Sequence, residues 1–267
     1  MIARQVVPGP LPQLPPARPW LWSQRWLNPL FAHWQVPAAA LRPHVPAGLE
    51  LDTWQGTAWV TVVAFRLARV RRRWFPPLGP VSNFPELNLR TYVVYRGEPA
   101  IYFLSIHAGK RLVVRLARRV TPLPYAHAHM TWSERDGTWR FESRCQAAAG
   151  NGHAFAATFA PHSSRRCSRP GSLDAWLLER YTLYADDGRA TLFRTEVRHA
   201  AWEVQDVAAT IAVNTLGTPF GLDLSGPPAA AHFSPGVRAL VWPFEVVEGQ
   251  KGGSGQAAGA TASAEVQ

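Results

Sequence analysis

"LRTYVVYRGEPAIYFLSI", residues 89–106, is two runs of β-branched and aromatic residues around an Arg96-Gly97-Glu98-Pro99 interruption. Glycine and proline punctuate the chain between residue types that prefer strands, so the stretch reads as a β-hairpin. An antiparallel sheet follows. "AWVTVVAF" (58–65) has the same strand character, and Asp136-Gly137 and Asp187-Gly188 mark two more turns. Helical signals are few. "PAAALR" (37–42) suggests a short helix stopped by Pro43 and Pro46. In "KRLVVRLARRV" (110–120), Leu112, Val113, Leu116, Ala117 and Val120 form one apolar stripe opposite arginines. In "SLDAWLLERY" (172–181), Ser172 is a candidate N-cap with Asp174 in the first turn. A fourth helix is expected over 206–217. The fold class is therefore α+β, mainly β: a barrel or a pair of packed sheets with a few short helices.

The 267 residues, 47% of them hydrophobic, suffice for one sizeable core. Residues 1–19 are Pro-rich and 248–267 are rich in Gly, Ala and Ser, so both ends are expected to be flexible around a single domain over 20–247. No apolar run reaches the length of a membrane span, and the Pro-rich start lacks the apolar core of a signal peptide. Cys145 and Cys167 fit neither a zinc spacing nor a disulfide framework. A soluble cytoplasmic protein without a membrane partner is expected. The net charge of +10 invites nucleic acid, yet the arginines are scattered and only Arg69–Arg73 is dense, so nucleic acid is the least favoured partner. Homo-oligomerisation is left open.

Phosphate loops, dinucleotide fingerprints, nucleophile elbows and His-Glu-x-x-His are all missing, which leaves dispersed residues to carry chemistry. In "SNFPELNLRTYV" (82–93), Glu86, Asn88 and Arg90 stand at i, i+2 and i+4, so a strand presents all three on one face. Facing a barrel interior, they would set a carboxylate with a shifted pKa and a guanidinium for an anion in an apolar cavity. Facing outward, they would be an ordinary salt-bridged surface. His127 and His129 alternate about 7 Å apart on an expected strand, a spacing that permits a metal, but no third ligand is nearby and no metal is assigned. His33 reads as a hydrogen-bonded core histidine.

Five blocks in order, "LFAHWQVPAAALRPHVPAGLELDTWQGTAWVTVVAFRL" (30–67), "FPELNLRTYV" (84–93), "LPYAHAHM" (123–130), "NTLGTPFGL" (214–222) and "VWPFEVV" (241–247), resemble the bacterial YqjF-like family of unknown function. That family is grouped with the acetoacetate decarboxylase-like superfamily. The resemblance spans about residues 20–247 and implies a curved antiparallel β-barrel around a ligand cavity. Acetoacetate decarboxylases form a Schiff base through a barrel lysine. Here Pro124 matches the proline before their lysine pair, and Tyr125 and Ala126 stand where the lysines belong. Lys251 lies in the tail, and Lys110 reads as a solvated helix-start residue. Glu86 matches the position of a site glutamate, and Arg25 lies near that of a site arginine.

The expectation is a small, anionic, oxo-acid-type ligand held in a barrel cavity without a Schiff-base lysine and without a cofactor. In an enzyme, Glu86 would be acid or base and Tyr125 would hydrogen-bond the carbonyl, with Arg90, Asn88, Arg118, Arg25 and His127 as ligand contacts. The reaction would be noncovalent lyase, hydratase or enolising chemistry. The alternatives are a noncatalytic small-molecule binder and a nucleic-acid binder using Arg69–Arg73.

Overall fold

The structure, a computed structural model, describes residues 16–145, 152–189 and 191–248. The two ends expected to be flexible thus fall largely outside the described residues, although Arg18 is anchored, its carbonyl accepting from Trp242 Nε1 at 2.8 Å.

The Arg96-Gly97 turn joins its strands with both residues in the left-handed region, φ 50° and 83°. Asp136-Gly137 repeats that geometry at 51° and 76°. Two consecutive positive φ angles make the turn whose twist matches a β-hairpin.

In chain order the elements are β1 (Trp22–Val36), α1 (Ala38–Leu41), β2 (Glu50–Leu51), β3 (Ala58–Arg72), α2 (Gly79–Ser82), β4 (Phe84–Tyr95) and β5 (Glu98–Ala108). Then come α3 (Arg111–Val120), β6 (Tyr125–His127), β7 (His129–Arg135), β8 (Thr138–Cys145), β9 (His153–Pro161), β10 (Arg166–Cys167) and α4 (Leu173–Leu178). The chain finishes with β11 (Thr182–Asp186), β12 (Leu192–Arg198), β13 (Glu203–Asn214), β14 (Ala230–Phe233), β15 (Gly236–Val241) and β16 (Glu245–Glu248).

Seven strands close a barrel in the order β15-β12-β11-β5-β4-β3-β1, with β1 returning to β15. Every junction is antiparallel except β5–β11. β1 divides its pairing. Trp22–Leu27 bond to β15, whereas Leu30–His33 bond to β14, which continues through β13, β9 and β8 to β7 as a second sheet. The division falls at Asn28-Pro29, where Asn28 takes φ 55° and proline has no N–H to give a ladder. Gly236 starts β15 so close to β1 that a Cβ there would stand 2.0 Å from the Trp26 carbonyl oxygen. Only glycine fits.

β3 is buried on both faces, which explains its unbroken apolar run. Val60, Val62 and Ala64 pack outward with Phe141, Phe155 and Phe159 of the second sheet. Trp59, Val63 and Phe65 point into the barrel, where α4 contributes Trp176, Leu177 and Leu178. The Ser172 hydroxyl caps α4 by accepting from Ala175 N at 3.2 Å.

Three expectations need correction. Residues 206–217 are not a helix: most belong to β13, in which Val207, Ala209 and Ile211 pack inward while Ala208 and Thr210 are exposed. That is the period of two of a strand, imposed by pairing with β9. The helix over 37–42 runs on as a 3-10 turn through His44, since Pro43 lies in its first turn, where a missing N–H costs nothing. On α3, Val113 and Val114 are buried but Leu112, Leu116 and Val120 are exposed, so the helix docks on a narrower face than its pattern implies.

Candidate active site

All seven barrel strands contribute to a cavity of about 110 Å³. At ~30 Å³ per water, it has room for three or four waters, or an acid of about four carbons. Glu86, Asn88 and Arg90 all point into it from β4, with Leu89 on the outer face between them. Of the two readings of that triplet, the interior one is the one found.

Tyr125 enters from β6, which lies parallel to β5, and its hydroxyl donates to Glu86 Oε2 at 3.1 Å. Burial pushes the Glu86 carboxyl up to about 7, against hydrogen bonds from Tyr125 and Asn88 that favour the ionised form. Burial also drives the Tyr125 phenol well up, and the adjacent carboxylate adds to this. Glu86 is thus poised between acid and base near neutrality.

Arg90 is buried, with its guanidinium over the Phe31 ring and Nη2 donating to the Leu177 carbonyl at 3.4 Å. Its Nε has no partner, and among the described residues no carboxylate pairs with it. Its neighbour Arg180 is different, being bonded to buried Asp52 at 2.7 Å. With Glu86 neutral, the cavity carries one uncompensated positive charge.

His199 completes the wall. Its Nδ1 donates to the Ala200 carbonyl at 2.8 Å, so the neutral ring presents a bare Nε2. Burial pulls this imidazole down to about 4, opposed by that carbonyl contact. Trp26, Tyr181 and Trp202 surround it with ring centroids 4.8–5.6 Å away.

Behind Arg90 runs a chain of hydrogen bonds. Tyr92 donates to the same Leu177 carbonyl at 2.9 Å and contacts Thr61 Oγ1 at 2.6 Å, and Thr61 contacts His33 Nδ1 at 2.8 Å. His33 Nε2 meets His232 Nδ1 at 3.2 Å, and His232 Nε2 meets Asp174 Oδ1, also at 3.2 Å.

Three of the expected contacts lie elsewhere. Arg25 is exposed because strand alternation turns it away from Gln24 and Trp26, which do line the cavity. Arg118 sits on the solvent side of α3. His127 ends β6 on the outer surface beside His129, with ring centroids 5.1 Å apart. Buried Ala128 separates the two histidines onto different strands, and no cluster of three metal-ligating side chains occurs among the described residues. Lys110 Nζ donates to the Pro80 carbonyl at 3.0 Å, outside the cavity.

Gln24, Arg180, Tyr181 and His199 line the cavity but were not among the expected residues. Alternation along "TEVRHA" (195–200) could have placed His199 with Val197 on an inward face. Arg180 and Tyr181 depend on how α4 enters the barrel, for which no local signal exists.

The family described as an uncharacterized conserved protein, DUF2071, matches residues 23–238. The chain belongs to the DUF2071 family. The uncharacterized protein YqjF of Bacillus subtilis is 39% identical over 225 residues, covering 84% of this chain and 92% of the relative. Among solved structures, the enduracididine biosynthesis enzyme MppR complexed with pyruvate superposes with TM-score 0.58 at 14% identity, covering 87% of this chain and 91% of the other. Acetoacetate decarboxylase from Legionella pneumophila gives TM-score 0.58 at 14% identity over 88% and 92% of the two chains. These likenesses show that the chain has the acetoacetate decarboxylase-like barrel fold.

Proposed function

We propose that the cavity binds a small anionic oxo acid noncovalently, without a Schiff-base lysine, and that Glu86 transfers a proton to or from it in an enolising reaction. Arg90 carries the reading. A buried guanidinium without a carboxylate is costly, and an anionic ligand seated against it would supply the missing countercharge.

With the acid on Arg90, the ligand's carbonyl end reaches toward Glu86 and Asn88. Tyr125 spends its proton on Glu86, so it positions and tunes that carboxyl, and the enolate oxygen receives a proton from Glu86 only after Glu86 has taken it from the α carbon. Near neutrality, ionised Glu86 would remove the proton α to the carbonyl. The cavity's size fits such an acid, and the pyruvate held by MppR, which shares this fold, supplies a first probe. We place this activity in the cytoplasm, in keeping with the two free thiols.

The test is calorimetric titration with pyruvate and acetoacetate, with NMR of α-proton exchange in deuterated water and borohydride trapping read by intact mass. Saturable binding lost in Arg90→Gln, with exchange lost in Glu86→Gln and no adduct, is the expected result. Binding without exchange would make the protein a noncatalytic binder. A borohydride adduct, or absence of binding, would overturn the proposal.

A further inference from the structure

At one end of the barrel the molecule exposes large apolar side chains among cations that form no salt bridge with the described residues. The loop between β3 and α2 holds Trp74 at 84%, Phe75 at 60% and Leu78 at 62% exposure. Trp74 takes φ 69°, with the Arg73 guanidinium 4.8 Å from its ring centroid. On α3, Leu112, Leu116 and Val120 follow one another at i, i+4 and i+8 along the outer face. The two segments are tied together, since Lys110 Nζ donates to the Pro80 carbonyl and Gly109 N to the Pro85 carbonyl, both at 3.0 Å.

The charge is concentrated in the same place. Residues 66–85 and 109–133 contain Arg66, Arg69, Arg71, Arg72, Arg73, Lys110, Arg111, Arg115, Arg118 and Arg119, and no Asp or Glu. These account for 10 of the 28 Lys and Arg residues, and the other 18 are balanced by 18 Asp and Glu, so the whole net charge of +10 resides here. Among the described residues none of the ten enters a salt bridge.

We propose that this face docks on the surface of a bilayer containing anionic phospholipid. Trp74, Phe75 and Leu78 enter the headgroup boundary, α3 lies along it, and the arginines bind lipid phosphates. A second copy meeting this face with its own would set ten cations against ten. A nucleic acid would satisfy the arginines but leave the aliphatic side chains of Leu78, Leu112, Leu116 and Val120 in water. No helix of the described residues is long and apolar enough to cross a membrane, so the contact is peripheral. Glu86 pairs with Ala108, just before Gly109, so the carboxyl end of the cavity lies at the docked end.

The full-length chain is sedimented with vesicles of phosphatidylcholine alone and with vesicles containing roughly 30% phosphatidylglycerol. Binding to the anionic vesicles at least about tenfold stronger, and weakened by ~0.5 M salt, is expected. Trp74→Ser with Phe75→Ser, and separately Leu112→Ser with Leu116→Ser, should each cut binding about tenfold with unchanged thermal melting. All four residues are exposed, so folding is retained. Three results would overturn the proposal: no preference for anionic vesicles, a dimer in light scattering that Trp74→Ser dissociates, or salt-sensitive binding to duplex DNA without vesicle binding.

Discussion

The hydrogen bonds that link Leu177, Tyr92, Thr61, His33, His232 and Asp174 require three ring protons on the four nitrogens of His33 and His232, one more than two neutral imidazoles carry. The count follows from the partners. The Leu177 carbonyl can only accept, so Tyr92 donates to it, Thr61 donates to Tyr92, and His33 donates to Thr61 through Nδ1. At the other end the Asp174 carboxylate can only accept, so His232 donates through Nε2. One more proton must lie between His33 Nε2 and His232 Nδ1 to make their 3.2 Å contact a hydrogen bond. Burial holds the His33 imidazole well below its usual range. Imidazole ¹⁵N NMR should count three protonated nitrogens in the pair. Asp174→Asn can donate to His232 Nε2, so the count should fall to two.

Glu86 predicts a stability loss with rising pH. Its folded value of about 7 lies above the ordinary 4.5, so the unfolded chain releases the proton first. Stability therefore falls as pH rises from about 4.5 to about 7 and stays flat beyond. Glu86→Gln should remove that loss, gaining up to about 3 kcal/mol at pH ~8 and little at pH ~4, as read by urea denaturation.

Burial has the opposite effect at acid pH. His107 and His199 are pulled down to about 4, chiefly by desolvation. Below about 6.5 the unfolded chain takes up protons that the folded one refuses, so stability drops from pH 6.5 toward 4. His199→Phe keeps the aromatic packing and should flatten this acid limb, visible as a smaller change in melting temperature between pH ~6.5 and ~4.5.

Arg90→Met should separate stability from binding. Replacing a buried unpaired charge with an apolar side chain of similar length should leave the ligand-free protein at least as stable, by up to about 2 kcal/mol. The same variant should lose all thermal stabilisation by pyruvate or acetoacetate. A melting temperature well below wild type would mean that Arg90 has a structural partner.

Gly236→Ala should cost about 3 kcal/mol or more, because its Cβ meets the Trp26 carbonyl and its φ of 116° excludes side chains. Gly97→Ala tests the contrast. It also sits at positive φ, but nothing lies within 4 Å, so its cost should be nearer about 1 kcal/mol.

Local chemistry made much of the fold legible. The Gly97 and Gly137 turns, the β-branched runs and the Ser172 cap each act within a few residues. Period two put Glu86, Asn88 and Arg90 on one face, but could not say whether that face looked inward, because β4 is buried on both sides. The β13 error has the same root: "DVAATIAVNTLG" (206–217) is rich in alanine, and tertiary pairing with β9 overrode that helical preference. His199 and Arg180 come to the cavity through barrel closure, which joins strands far apart in the chain.

That closure has a temporal consequence. Trp22 pairs with Val241, so the strand synthesised first waits for nearly the last one. At about 5–20 residues per second, roughly ten to forty seconds separate them on the ribosome. Throughout that interval the Trp22–Leu27 edge that β15 will cover is open to other chains. The nascent protein should therefore be a client of holding chaperones, and fragments ending before Gly236 should aggregate.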